Sequence, residues 1–244
     1  GAPPLHHLIS SRSCVPARFS RDADRVYDRG MQINIISDTI CPWCFVGKRR
    51  LEAAVAQRPN LALEVSWHPF QLNPGTPIDG MDRAAYIQAK FGSSSYPQQM
   101  LSALNAAGES VGIDFDFGAM ARVPNTIRSH CLIRWAGEAD VQDAVVNILF
   151  DRYFLQQGDI GDPDLLAEVA AEAGMDGDEV RLRLDRGDDA DVVAAEDAHV
   201  RNFGISGVPT FILDQKYAVT GAQEPQVLLQ VFDKGAAAAA GVPA

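Results

Sequence analysis

Cys41 and Cys44 are the residues in this sequence whose type and spacing most directly suit redox chemistry. A C-x-x-C pair has two common uses: it supplies half of a zinc site, or it closes a small, reversible disulfide ring. Structural zinc takes four ligands, and no second short-spaced ligand pair accompanies this one. Cys14 and Cys131 are isolated. His130 and Cys131 are adjacent on an expected helix, where neighbouring side chains diverge by about 100° and clasp a metal poorly. The pattern therefore favours a redox-active dithiol, and no metal site is expected.

The flanking segments must position the two sulfurs. Ile33 to Ile40 alternates apolar and polar residues, as a half-buried strand does. Phe45 to Leu51 and beyond carries helix formers with apolar residues at helical spacing. Pro42 sits at the first helical position, where its missing N–H costs nothing. Cys41 is thereby set at a helix N-terminus, where free N–H groups and the macrodipole favour negative charge and lower a thiol's pKa. Cys44 lies one turn on.

A second strand is expected over Asn60–His68, then a Pro-rich break over Pro69–Pro77, giving a βαβ unit with parallel strands. From Met81 to about Gly187 the pattern is helical. Segments run over Met81–Phe91, Tyr96–Val111, Pro124–Trp135, Val141–Gln157, a helix begun by Asp162-Pro163, and Asp176–Leu184. After Asp189-Ala190-Asp191 a further helix runs to about Phe203 and precedes two short strands joined at Asp214-Gln215. Glu224-Pro225 opens a last helix through Phe232, and the Ala-rich end is expected to fray. The organisation is thus α/β with a large all-helical insertion: an extension over 1–30, α/β segments over 31–80 and 190–234, the insertion over 81–189, and a tail over 235–244.

The chain has 244 residues, 47% of them hydrophobic, which suffices for a full core. A formal net charge of −11 argues against nucleic acid and against anionic membranes as partners. Most of the acidic excess falls between Glu138 and Asp197, read as a solvated helical face. No apolar run approaches the ~20 residues that span a bilayer. Residues 1–30 lack a secretory pattern, and Met31 directly precedes the first strand, so they read as an upstream extension or a cloning remnant. A reducing cytoplasm is the expected compartment, where a dithiol is more plausibly catalytic than structural.

Cys41-Pro42-Trp43-Cys44 after a first strand, a helical insertion, and Gly207-Val208-Pro209-Thr210-Phe211 before a hairpin and terminal helix together resemble the DsbA-type thioredoxin fold. Ser37 to Cys44, Pro69-Phe70-Gln71-Leu72-Asn73-Pro74 and Asn125-Thr126-Ile127-Arg128-Ser129-His130 resemble its FrnE-like branch, which is similar to 2-hydroxychromene-2-carboxylate isomerases and kappa-class glutathione transferases. The resemblance implies a thioredoxin-like fold and a cis Val208–Pro209 peptide facing the dithiol. It also implies thiol–disulfide exchange through a mixed disulfide at Cys41, resolved by Cys44. Pro42, Trp43, Phe70, Asn125, Val208 and Pro209 become candidate substrate-binding residues; Asn125 reads equally as a helix cap. The isomerase and transferase relatives typically carry Ser where this chain has Cys41, which favours electron exchange here. Trp43 stands where strongly oxidising relatives often carry His, so a less oxidising pair is expected.

The implied partners are protein or small-molecule disulfides and dithiols. No resident cofactor is expected, with glutathione an optional co-substrate; no feature specifies an oligomeric state. Two rival readings stand beside this one. The first is a glutathione-dependent isomerase or transferase acting on a small aromatic or polyketide-like molecule, with Trp43 and Phe70 walling its pocket. The second is a chaperone-like binding module. His68 reads as packed or surface, His199 as solvent-facing or a helix-end cation, and Cys131 as a small buried apolar residue.

Overall fold

The computed structural model describes residues 30–92 and 97–239. The readings made for residues 1–29, Cys14 among them, and for Tyr96 lie outside this range. The fold is that of the unit beginning at Met31.

β1 (Met31–Ser37) alternates buried and half-buried positions before its last three residues are buried on both faces. It is a central strand. β2 (Leu63–Pro69) pairs parallel to it from Met31↔Leu63 to Ser37↔Pro69, across the helix α1 (Pro42–Ala56). Both strands are shorter than their apolar patterns. β2 starts at Leu63, where its ladder with Met31 begins. β1 stops at Ser37, whose carbonyl accepts from Phe70 N–H at 3.0 Å, and Asp38-Thr39-Ile40 turns into α1.

The insertion begins with β3 (Met81–Asp82) and α2 (Arg83–Phe91), followed by α3 (Gln98–Glu109), β4 (Arg122–Val123) and α4 (Ile127–Glu138). β3 and β4 form a two-residue antiparallel ladder, a non-helical element absent from the sequence expectation because two residues carry no readable alternation. The single helix expected over Val141–Gln157 is α5 (Gln142–Phe150) followed by a π-turn over Asp151–Leu155, with Gln156 N–H donating to Asp151 O at 3.1 Å. The turn keeps Tyr153 and Phe154 buried. Phe154 and Phe150 stack on Phe45, directly after Cys44, at 5.8 and 5.2 Å. α6 (Pro163–Glu172) and α7 (Gly177–Arg186) start at Asp162 and Asp176, whose carboxylates accept from Asp164 N–H and Glu179 N–H. Acidic residues of this region are paired with arginines: Arg152 with Glu172, Arg181 with Asp164, Arg186 with Asp188, Arg134 with Glu196.

After α8 (Ala190–Asn202), β5 (Thr210–Leu213) joins β1 antiparallel, and β6 (Tyr217–Thr220) completes the sheet in the order β2-β1-β5-β6. Asp214 and Gln215, at φ 44° and 56°, make the tight hairpin turn whose twist suits paired strands. α9 (Pro225–Ala239) runs well past Phe232, so the Ala-rich stretch is helix as far as Ala239. Alanine is the best helix former, and Gly235 packs so closely on Met31 that a Cβ there would lie 2.7 Å from its Cε.

α4, α5 and α8 pack against β2. At its edge, the Gln142 carboxamide accepts from Trp67 N–H at 2.8 Å and donates to Trp67 O at 3.3 Å. The core is continuous from Ile33 and Ile35 of the sheet, through Phe45, to Leu149 and Val169 of the insertion.

Candidate active site

The site is built where β1 gives way to α1. Asp38 O accepts Cys41 N–H at 3.1 Å, closing the turn that delivers the first sulfur. Cys41 is the N-cap of α1, extended at φ −89° and ψ 112°, and Pro42 opens the helix. Its carbonyl takes up the amides of Cys44 and Phe45 at 3.0 and 3.3 Å. Both cysteines are thiols, 4% and 1% exposed. Burial pushes the Cys44 thiol well up, and its bond to Cys41 and any charge there push it further; weaker bonds to the Ser37 side chain and the Asp38 backbone act the other way. Cys44 is thereby held toward its protonated form. Cys131, in contrast, is buried on α4 and pushed up to about 12 by burial and the charge of Asp189.

Across from the dithiol lies the Val208–Pro209 peptide, which is cis. The Cys41 thiol donates to Val208 O at 3.8 Å, a distance suited to sulfur. Pro209 O is held by Gly221 N–H at 2.7 Å, and Thr210 Oγ1 donates to Gly207 O at 2.9 Å, so the loop is braced on both sides. Gly47, one turn beyond Cys44, allows α1 to lie on this loop; a Cβ there would sit 2.9 Å from Pro209 Cγ. Pro42, Trp43 and Val208 remain part-exposed around Cys41, while Pro209 is buried.

Phe70 and Asn125 are held in the surrounding wall. Phe70 is 2% exposed, with the Arg201 guanidinium 4.0 Å over its ring. Arg201 also donates to Gln71 O and pairs with Asp197, whose carboxylate accepts Gln71 N–H at 2.7 Å. The amide of Asn125 is spent on Thr76 O at 2.6 Å, Gln71 Nε2 at 3.1 Å and Ile127 N–H at 2.9 Å. It ties the Pro-rich loop to the first turn of α4, whose N-cap position is held by Thr126 rather than by Asn125.

Two buried residues that brace the turn before Cys41 were not legible as neighbours from the sequence. Asp38 is fully buried; its Oδ2 accepts Leu72 N–H at 2.7 Å and its Oδ1 lies 3.3 Å from His130 Nε2. His130 is itself 3% exposed. Thr39 and Ser129 make a second buried link between the same turn and α4, at 2.9 Å. A carboxylate three residues before a cysteine and a histidine in a distant helix offer no spacing signal; only the fold joins them. Gly47 did leave a signal, since a glycine inside a run of helix formers costs about 1 kcal/mol and marks close packing.

Among the described residues no group of three His, Cys, Asp or Glu is arranged to hold a metal ion. No described helix is long and apolar enough to cross a membrane.

A family model described as the DSBA-like thioredoxin domain matches residues 32–233. The uncharacterized protein YwbO of Bacillus subtilis is 29% identical over 184 residues, 75% of this chain and 86% of its own. Among solved structures, the probable DsbA oxidoreductase SCO1869 of Streptomyces coelicolor is 32% identical, with a TM-score of 0.75 over 84% of this chain and 89% of its own. A 2-hydroxychromene-2-carboxylate isomerase shares the fold at 15% identity, with a TM-score of 0.64 over 87% of this chain and all of its own (100%).

Proposed function

The chain belongs to the DSBA-like thioredoxin domain family, and on that footing we propose that it is a thiol–disulfide oxidoreductase whose working pair is Cys41 and Cys44. The observation that carries this reading is the placement of two thiols at the N-terminus of α1, with the first against Val208 O at 3.8 Å.

As an electron donor, the Cys41 thiolate attacks one sulfur of a substrate disulfide. A Cys41–substrate S–S bond forms, the substrate S–S bond breaks, and the leaving sulfur departs as a thiolate that takes a proton from solvent. Cys44 then gives up its proton and attacks Cys41 Sγ, releasing the second substrate thiolate and leaving the Cys41–Cys44 disulfide. Two electrons have passed to the substrate. The reverse sequence oxidises a dithiol. The raised Cys44 pKa supports this order, because a protonated, buried Cys44 does not compete for the first attack.

Polypeptide disulfides suit the surroundings. Leu72 (38% exposed) and Phe203 (72% exposed) present apolar surface on segments joined through Arg201 and Gln71, and residues 204–208 lead from Phe203 to the loop facing Cys41. Glutathione is the small thiol that would return the pair to its dithiol state, and a reducing cytoplasm is the compartment in which that return runs. Pro42, Trp43, Val208 and Pro209 would contact the docked substrate.

The test is insulin-disulfide reduction together with trapping. Cys44→Ser should accumulate mixed disulfides at Cys41, and Cys41→Ser should abolish both reduction and trapping. Full activity in Cys41→Ser overturns the reading.

A further inference from the structure

Arg50 lies one turn beyond Gly47 on α1, and so on the same face of the helix. It is 8% exposed, and its guanidinium reaches the turn that follows β6. One nitrogen donates to Ala222 O at 2.5 Å, and another pairs with Glu224 at 2.6 Å. Its Nε is buried with no partner among the described residues. An unpaired buried donor is a cost that apolar packing of helix on turn would avoid, so what the guanidinium holds in place has to justify it.

The same turn holds the loop opposite the dithiol. Gly221 N–H, next to Ala222, donates to Pro209 O at 2.7 Å. A Cβ on Gly47 would lie 2.9 Å from Pro209 Cγ and 3.6 Å from Ala222 Cβ, so helix, turn and loop meet in one place. Arg50, Ala222, Gly221 and Pro209 thus form an unbroken chain of bonded or adjacent residues, from the helix of Cys44 to the residue after Val208. The outer side of the loop is open: a Cβ on Gly204 or Gly207 would meet nothing within 4 Å. The inner braces therefore set where Val208 stands relative to Cys41.

Val208 O accepts from the Cys41 thiol at 3.8 Å, and a thiol is a weak donor that a peptide N–H displaces. An extended polypeptide disulfide can pair with this backbone while its sulfur meets Cys41, whereas a small disulfide without a peptide backbone cannot. Resting on the oxidoreductase reading above, we propose that Arg50 is a positioning residue for polypeptide disulfides. Through the Gly221–Glu224 turn it sets the Val208–Pro209 loop at the distance from Cys41 that a docked backbone requires. Loss of the guanidinium misplaces the docked polypeptide and leaves the exchange chemistry of Cys41 as it was.

The reduced full chain is mixed with either of two oxidised partners, a linear peptide dimer joined by one disulfide or bis(hydroxyethyl) disulfide. In each reaction the dithiol becomes the Cys41–Cys44 disulfide, and the two halves of the partner leave as thiols. Quenched alkylation with mass spectrometry reads the rate constants. Arg50→Met keeps the buried stem and removes the guanidinium. It should lower the peptide rate constant about tenfold and leave the small disulfide within about twofold of wild type. Arg50→Lys offers a point charge in place of the fork, and should fall between, about threefold down on the peptide. Arg58→Gln breaks the exposed pair of α1 with Asp233 of α9, and should stay within about twofold on both partners.

Equal losses on both disulfides in Arg50→Met would mark general damage to α1 and overturn the inference, as would an unmoved peptide rate. A selective peptide loss of the same size in Arg58→Gln would show loosening of the helix rather than a clamp, and overturns it too. If Arg50→Met does not fold, the ratio of the two rates in Arg50→Lys decides, and an unmoved ratio counts against the clamp. A wild-type chain that reacts with neither disulfide sinks the oxidoreductase reading itself, whereas a reactive wild type with an unmoved Arg50→Met sinks only the role of Arg50.

Discussion

Gly47 lies against Pro209 so closely that a Cβ on Gly47 would come within 2.9 Å of Pro209 Cγ and 3.2 Å of Phe211 Cζ. The helix that carries the dithiol and the loop that faces it are therefore in contact through a missing side chain. Gly47→Ala sets two effects against each other. Helix propensity favours Ala by about 1 kcal/mol, while forcing a methyl into a packed contact costs about 1–3 kcal/mol. The expected outcome is a modest net loss of about 1 kcal/mol in urea unfolding, with a larger relative loss in insulin-reduction rate as α1 is pushed off the loop.

Lys48 is 1% exposed and bonded to Glu52 at 2.5 Å and Asp143 at 3.0 Å, both of which reach solvent. Lys48→Met should be neutral or stabilising, within about 1 kcal/mol, because the carboxylates it leaves regain water and a long apolar chain fills the space beside Trp67. The double variant Glu52→Gln with Asp143→Asn strands the buried ammonium and should cost about 3–5 kcal/mol. Chemical denaturation of the two variants checks the asymmetry.

His68 is held down to about 4 by burial, and its Nε2 lies 2.8 Å from Asn34 Oδ1. A histidine whose folded value lies below its unfolded value near 6.5 binds fewer protons when folded. Its environment favours the native state fully above pH ~6.5, and this contribution is lost progressively as pH falls toward about 4. Thermal unfolding should show that decline, and His68→Gln should flatten it across the same window. An unchanged slope in the variant would show that other groups carry the acid sensitivity.

Alkylation of the reduced chain should follow the burial order. Iodoacetamide near pH ~8 is expected to label Cys41 first, Cys44 far more slowly, and Cys131 only after unfolding. Peptide mapping over time gives the order, and early labelling of Cys131 would contradict its 2% exposure and raised pKa.

The sequence made the dithiol, its helix, the parallel β1–β2 pair and the β5–β6 hairpin legible because each rests on local pattern: alternation, a helix-opening proline, turn residues. The π-turn at Asp151 and the β3–β4 ladder were not legible, since a helix pattern does not reveal which hydrogen bond each amide selects. In the site, Cys41 and Cys44 announce themselves by spacing. The resemblance points to Phe70, but that Arg201 of α8 lies 4.0 Å over its ring is a contact no local pattern announces. The Asp38–His130 contact spans 92 positions and exists only once α4 is laid beside the turn.

The carboxamide of Gln142 has a consequence for how molecules of this protein meet. β2 is an outer strand of the sheet, and at Trp67 its N–H and C=O are both already engaged by that one side chain. A strand from another molecule adding to this side would have to evict an internal imitation of itself. The opposite margin of the sheet is β6, Tyr217–Thr220, which pairs with the β5 strand that begins right after the cis Val208–Pro209 peptide.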